Sequence, residues 1–434
     1  MKPGNLGENV SPEGANSCRT EVLRDKRRWS LCQNNLFSYR EEVFLFKIAT
    51  AGEEAPMRIE TKLAQMGNKR ERKTGAVNFP IYFSTAYEHV DGVSTGYDYA
   101  RASNPTRDVL QESVAQLEEG DGGFACSSGM AAIHTLMGLF SQGDHLIVSF
   151  DLYGGTYRLF EKVMTRYGCS FTYVDLRELE AIRRAIQPNT KAIFIESPTN
   201  PLMCVTDIEA VCKLAKDHGL LTIVDNTFMT PFLQRPLTLG ADIVFHSATK
   251  YLGGHNDVLA GLIVTKGEAL TEQVAFLQKA IGAALGPMDC WLLIRGMKTL
   301  ALRMRQHQAN AQAIAAFLHN HPAIETVYYP ALDMRSKTLL DAQADGYGGM
   351  LSFRLKRKEW VQSVLNSLKI ITFAESLGGV ESLITYPATQ THADIPVEIR
   401  EKVGVCDRLL RLSVGIEHGE DLIADLAQAL AQVG

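Results

Sequence analysis

Two segments decide how this chain reads: Leu220-Leu-Thr-Ile-Val-Asp225-Asn-Thr227 and Ala241-Asp-Ile-Val-Phe-His246-Ser-Ala-Thr-Lys250. Each is a short apolar run that ends in polar residues. Runs of this length, rich in Val and Ile, fit strands buried on both faces. The same pattern occurs at His145-Leu-Ile-Val-Ser149 and Lys191-Ala-Ile-Phe-Ile-Glu196. Helical spacing separates the runs. It appears at Leu110, Val114 and Leu117, from Ala131 to Phe140, and at Ile208, Val211, Cys212 and Ala215 before Gly219. Alternating strands and helices predict an α/β fold, a mostly parallel sheet with helices on both faces. Ligands of such sheets bind beyond the carboxyl ends of the strands. The polar residues after each run are therefore where chemistry is sought.

Outside this centre the text changes. From about residue 306 an Ala-rich helix, Ala309 to Leu318, precedes short strand patterns at Met350–Arg354 and Leu410–Val414. A last helix spans about Asp421 to Ala431, and a smaller α+β domain is expected there. Residues 1–56 carry basic clusters (Arg24, Lys26, Arg27, Arg28) and acidic pairs (Glu41, Glu42; Glu53, Glu54) with no sustained period. They lack the apolar core of a signal peptide and are too acidic for a transit peptide. They read as a disordered extension outside the folded protein; a regulatory or targeting tail is the other reading. The expected division is an extension (1–56), an N-terminal arm (57–108), a large ligand-binding domain (109–305) and a C-terminal domain (306–434).

The 434 residues hold 44 Lys and Arg against 49 Asp and Glu, a net charge of −5. A dedicated nucleic-acid binder shows a basic surplus instead. No apolar run approaches the ~20 residues that span a bilayer. The expectation is a cytoplasmic protein without membrane or nucleic-acid partners. Eight scattered cysteines, none in a C-x-x-C pair, argue for reduced thiols. His319 and His321 have no partner at metal-ligand spacing, so no metal is expected.

Four segments that follow strands carry chemistry. Cys126-Ser-Ser-Gly-Met130 opens a helix, where free N–H groups and the dipole suit a phosphate, although Ser and Gly also cap helices for structural reasons. Asp225 could face a ligand or merely cap a turn. Lys250 sits among hydroxyls after a buried strand. It is either a solvated loop lysine or one whose depressed pKa suits Schiff-base chemistry. Tyr153, in Asp151-Leu-Tyr-Gly-Gly-Thr-Tyr-Arg158, could stack on a planar ligand or pack the core. One ligand unites the four. Pyridoxal phosphate needs a lysine for its aldehyde, a carboxylate for its ring nitrogen and a cup for its phosphate.

With these motifs the chain resembles the Cys/Met-metabolism family of pyridoxal phosphate enzymes. The resemblance runs from about Arg58 to Val433. It rests on Tyr99-Ala-Arg101, Asn104-Pro-Thr106, Ser128-Gly-Met130, Ser197-Pro-Thr-Asn-Pro201, Asp225-Asn-Thr227, Ser247-Ala-Thr-Lys250, Glu375-Ser-Leu-Gly-Gly379 and Arg411-Leu-Ser-Val-Gly-Ile-Glu417. It implies an aspartate aminotransferase-like (fold type I) architecture. Lys250 would hold the cofactor covalently and shuttle protons, Asp225 would pair with the ring nitrogen, and Tyr153 would stack on the ring. Gly129, Met130, Ser247 and Thr249 would hold the phosphate, with Tyr99 and Arg101 reaching the phosphate of a neighbouring subunit. Asn200 would lie near the ring hydroxyl. Ser376 and Arg411 would bind the substrate α-carboxylate, with Tyr99, Arg158 and Glu375 completing the substrate site.

The resemblance also implies amino-acid substrates and a homotetramer built from dimers with shared active sites. Gly155, Arg158 and Glu375 are similar to the family's cystathionine-forming pattern. The implied reaction is γ-replacement on an O-acylhomoserine by cysteine, with cystathionine γ-elimination as the alternative.

Overall fold

The computed structural model describes residues 57–393 and 395–433. The sequence reading of 1–56 as an extension falls outside the described residues.

The apolar runs become strands because nearly every position along them is buried. β1 (Gly122–Cys126), β2 (His145–Ser149), β3 (Ser170–Val174), β4 (Thr190–Glu196), β5 (Leu221–Asp225), β6 (Ile243–Ser247) and β7 (Gly261–Thr265) form one sheet. Its order is β1-β7-β6-β5-β4-β2-β3. β2 through β6 are parallel, and β7 runs antiparallel to both β1 and β6. The two-residue alternation of each strand feeds two separate cores. Ile147, Ile193, Val224 and Val244 pack on one face with the helices Pro105–Glu118 and Ile208–Asp217. Val148, Phe194, Ile223 and Phe245 pack on the other with Gly129–Met137 and Gly154–Lys162. Burying each such side chain contributes about 1.5–3 kcal/mol.

Caps fix where the helices begin. The Asn104 side chain accepts from the N–H groups of Thr106 and Arg107, with Pro105 in the first turn. The Ser128 side chain accepts from the Ala131 N–H, so the helix starts at Gly129, two residues before the apolar stretch suggests. The Ala-rich helix is likewise longer than its composition predicts and spans Leu300–His319. Leu300, Arg303, Met304 and His307 extend its buried side.

A second sheet follows, made of β8 (Ile324–Tyr328), β9 (Met350–Leu355), β10 (Thr372–Phe373), β11 (Leu383–Thr385) and β12 (Leu409–Ser413). Its order is β10-β11-β12-β9-β8, and it has its own apolar core. Among the described residues, no helix is long and apolar enough to cross a membrane.

Candidate active site

The carboxyl ends of β2, β4, β5 and β6 surround a cavity of about 200 Å³. Its walls bring together ten of the residues singled out from sequence: Gly129, Met130, Tyr153, Asn200, Asp225, Ser247, Thr249, Lys250, Ser376 and Arg411. Asp225 ends β5, and Lys250 follows β6 after a tight turn. Arg411 comes from β12 of the second sheet, so both sheets build the site.

Lys250 Nζ donates to Ser376 Oγ at 3.0 Å. Burial, and then the Arg411 charge, lower the Lys250 ammonium to about 8, with Glu375 pulling the other way. About a tenth of this amine is thus neutral and nucleophilic at neutral pH, a far larger share than for an ordinary lysine. Ser376 stands at φ 147°, a conformation that side chains rarely adopt. Two residues on, Gly378 has φ +77°, and a Cβ there would lie 2.5 Å from the Tyr251 nitrogen. The loop carrying Ser376 is therefore pressed against the backbone of Lys250.

Asp225 Oδ1 accepts from the Thr227 N–H at 2.9 Å. Burial raises this carboxyl, while Thr227 and then His246 hold it down. Arg411 is 1% exposed. Its Nη1 donates to Asn200 Oδ1 at 3.0 Å, and its Nη2 donates to the Ser376 carbonyl and Thr385 Oγ1. Its Nε is buried without a partner among the described residues. Burial lowers this guanidinium to about 10, still a cation at neutral pH.

The cavity floor suits a phosphate. Gly129 and Met130 open the capped helix Gly129–Met137, with Ser247 and Thr249 beside them. A Cβ on Gly129 would come within 2.8 Å of Ser247 Cβ, so a side chain there would fill the cradle. An amine, an anion and this cradle in one cavity fit pyridoxal phosphate.

Four expected residues lie outside the cavity wall. Glu375 lines an adjoining cleft that shares Thr249, Leu259 and Ser376 with the cavity. Arg158 stands on the exposed side of Gly154–Lys162, and its charge acts on Tyr153. Tyr99 is 51% exposed. Arg101 stacks near its ring at 5.6 Å and donates to the Lys279 carbonyl. Within one chain this pair does not reach the cavity.

Sequence reasoning passed over Glu196 and Thr391, both in the cavity wall, and quoted Thr227 in a motif without giving it a role. It also passed over His392, which is buried between Thr391 Oγ1 and the Asn200 carbonyl. Glu196 had a legible signal, an acid ending an apolar strand as Asp225 does. Thr391 and His392 had none, because they lie in an irregular segment.

Comparison with known proteins agrees with this geometry. A family model described as Cys/Met metabolism PLP-dependent enzyme matches residues 60–431. A cystathionine gamma-synthase/O-acetylhomoserine (thiol)-lyase of Bacillus subtilis is 62% identical over 376 residues, covering 86% of this chain and 97% of the relative. A cystathionine gamma-lyase of the same organism is 52% identical over 379 residues, 87% of this chain and 100% of the relative. Among solved structures, cystathionine gamma synthase from Xanthomonas oryzae pv. oryzae in complex with aminoacrylate and cysteine superimposes with a TM-score of 0.85 at 41% identity, covering 87% of this chain and 99% of that one. The chain therefore belongs to the Cys/Met metabolism family of enzymes, whose cofactor is pyridoxal phosphate.

Proposed function

We propose that this enzyme joins an O-acylhomoserine, with acetyl as the acyl group, to L-cysteine to give L-cystathionine. A C–S bond forms at Cγ, the C–O bond there breaks, and the acyl carboxylate leaves. The observation that carries this reading is Glu375. Its carboxylate lies in the cleft adjoining Lys250, where it can receive the ammonium of a second amino acid. The 62% identical relative carries a name that includes this activity. γ-Elimination of cystathionine is the second reading, favoured by the 52% identical lyase.

In this mechanism the bound cofactor draws electrons from the bonds at the substrate Cα. The protein supplies the rest. Arg411 receives the α-carboxylate, for which its buried, unpartnered Nε is a waiting donor. An unpaired buried donor costs about 1–3 kcal/mol, which a bound carboxylate recovers. Lys250 Nζ takes the Cα proton and returns it later. Asp225 would be the anion for the ring nitrogen of the bound cofactor. Asn200 would serve the ring hydroxyl, and Gly129, Met130, Ser247 and Thr249 would hold the phosphate. Tyr153 would stack on the ring. Partial burial, and then the Glu375 charge, raise its phenol, so it keeps its proton as a donor. Arg158 adds a cation near Tyr153 and the substrate. Tyr99 and Arg101 serve the neighbouring subunit in a cytoplasmic homotetramer. The product enters methionine biosynthesis by transsulfuration.

The purified enzyme given O-acetylhomoserine and cysteine is expected to form cystathionine, and sulfide to serve as a slower nucleophile. Chromatography of the products checks this. Keto acid and ammonia from cystathionine, with no synthesis from the ester, would favour elimination.

Lys250 also sets a pH dependence. Only the neutral amine attacks an aldehyde, and its pKa is lowered to about 8. Cofactor capture by the apoenzyme should accelerate as pH rises through about 8 and then level off. Stopped-flow absorbance of added pyridoxal phosphate measures it. In Arg411→Leu the midpoint should move upward, because the charge that depresses Lys250 is gone.

A further inference from the structure

Glu196 is a buried carboxyl that none of the steps above uses. It ends β4 and is the register partner of Asp225 at the end of β5. Register partners in a parallel sheet project to the same face from strands about 4.8 Å apart. Both side chains line the one cavity. Glu196 is nonetheless held differently. Its Oε2 accepts from the Tyr153 N–H at 3.0 Å, and its Oε1 accepts from the Asn200 N–H at 2.9 Å. One carboxyl therefore ties the segment after β2 to the segment after β4. Asn200 in turn receives Arg411 on its Oδ1.

We propose that Glu196 is a positioning residue that fixes Tyr153 and Asn200 and leaves Asp225 as the anion of the cavity wall. Two anions side by side in this wall would compete for one ring nitrogen and repel each other. The surroundings decide which of them keeps the proton. Asp225, although raised by burial, has the Thr227 donors and then His246 in its favour. Glu196 is raised well above the carboxylate range by burial, then by Asp225, with Asp151 adding to this. Its backbone donors at Tyr153 and Asn200 oppose the rise. Arg411 and the Tyr153 phenol are the other titratable groups beside it. Glu196 thus holds Tyr153 and Asn200 in place while Asp225 remains the anion of the wall. This inference rests on the cofactor site and not on which carbon–sulfur bond is made.

The test uses the holoenzyme and three variants. Glu196→Gln keeps a neutral group of the same shape, with one acceptor instead of two. It should leave the pH titration of the cofactor's visible band unchanged and cost no more than about tenfold in kcat. Glu196→Ala releases both backbone donors. It should lower kcat by ~10²-fold with little change in KM, and weaken the visible circular dichroism of the cofactor as the ring over it shifts. Where the alanine variant does not fold, Glu196→Asp asks the same question by retracting the carboxyl one methylene.

A shift of the band titration by ~1 pH unit or more in Glu196→Gln would mean that Glu196 carries a charge, and the proposal fails. It also fails if both Glu196→Ala and Glu196→Asp keep wild-type kcat and dichroism. A wild-type enzyme with no visible band would instead overturn the cofactor site itself. The spectra are read before any substrate is added, so an error about the reaction leaves the spectral part of this test intact.

Discussion

Replacing Lys250 with alanine should abolish turnover, with kcat reduced at least ~10⁴-fold, and should remove the visible band of the lysine-bound cofactor. The size follows from the two duties of one amine. It is the nucleophile for the aldehyde and the group that moves the Cα proton. Among the described residues, no second amine lines the cavity to replace it. The fold should survive, because Nζ donates to Ser376 Oγ, a contact worth about 1 kcal/mol. The checks are absorbance before and after borohydride, kcat in any of the candidate reactions, and thermal unfolding. Activity that persists in this variant would refute the assignment of Lys250.

The second large effect is expected at Asp225. Asp225→Asn should lower kcat ~10²- to 10³-fold, the scale of removing a preorganised charge from a reacting centre. The asparagine Oδ1 can still accept from the Thr227 N–H, so the local turn is kept. What is lost is the negative charge that favours a proton on the ring nitrogen, and with it much of the cofactor's power to take up electrons. The band position and its pH titration should change while the phosphate cradle of Gly129 and Ser247 still binds. Spectral titration alongside kcat separates this from loss of cofactor. An unchanged kcat would show that the ring nitrogen needs no anion here.

Much of the cofactor site was legible because its residues sit at strand ends, and strand ends are visible as points where an apolar run stops. Asp225 after Leu221–Val224 and Lys250 just beyond Ser247 are of this kind. Glu196 shows the same signature, yet its meaning depends on its neighbour. Only the β4–β5 register makes it the partner of Asp225. The edge strands β1 and β3 carried weaker signals. β1 begins with Gly122 and Gly123, which add no side-chain pattern, and the side chains of β3 are mostly half-buried.

The substrate side was less legible for the same reason. Arg411 and Asn200 bond across 211 positions of chain, and Arg411 meets Ser376 across 35. Residue spacing holds no record of such pairs, because folding brings them together through the packing of two sheets. The motifs around Glu375 named it as a substrate residue, and only the packed structure places it in a cleft adjoining the cavity.

By itself, the sequence determined the layered α/β architecture, since a strand buried on both faces must be apolar along its length. It also determined the cofactor chemistry, since an amine, an acid and a Ser/Gly turn at strand ends leave few other ligands. Only the tertiary structure decided which carboxyls are neighbours, which donors of Arg411 are already taken and which residues face away from the cavity. Those properties depend on distance and burial, and chain packing sets both.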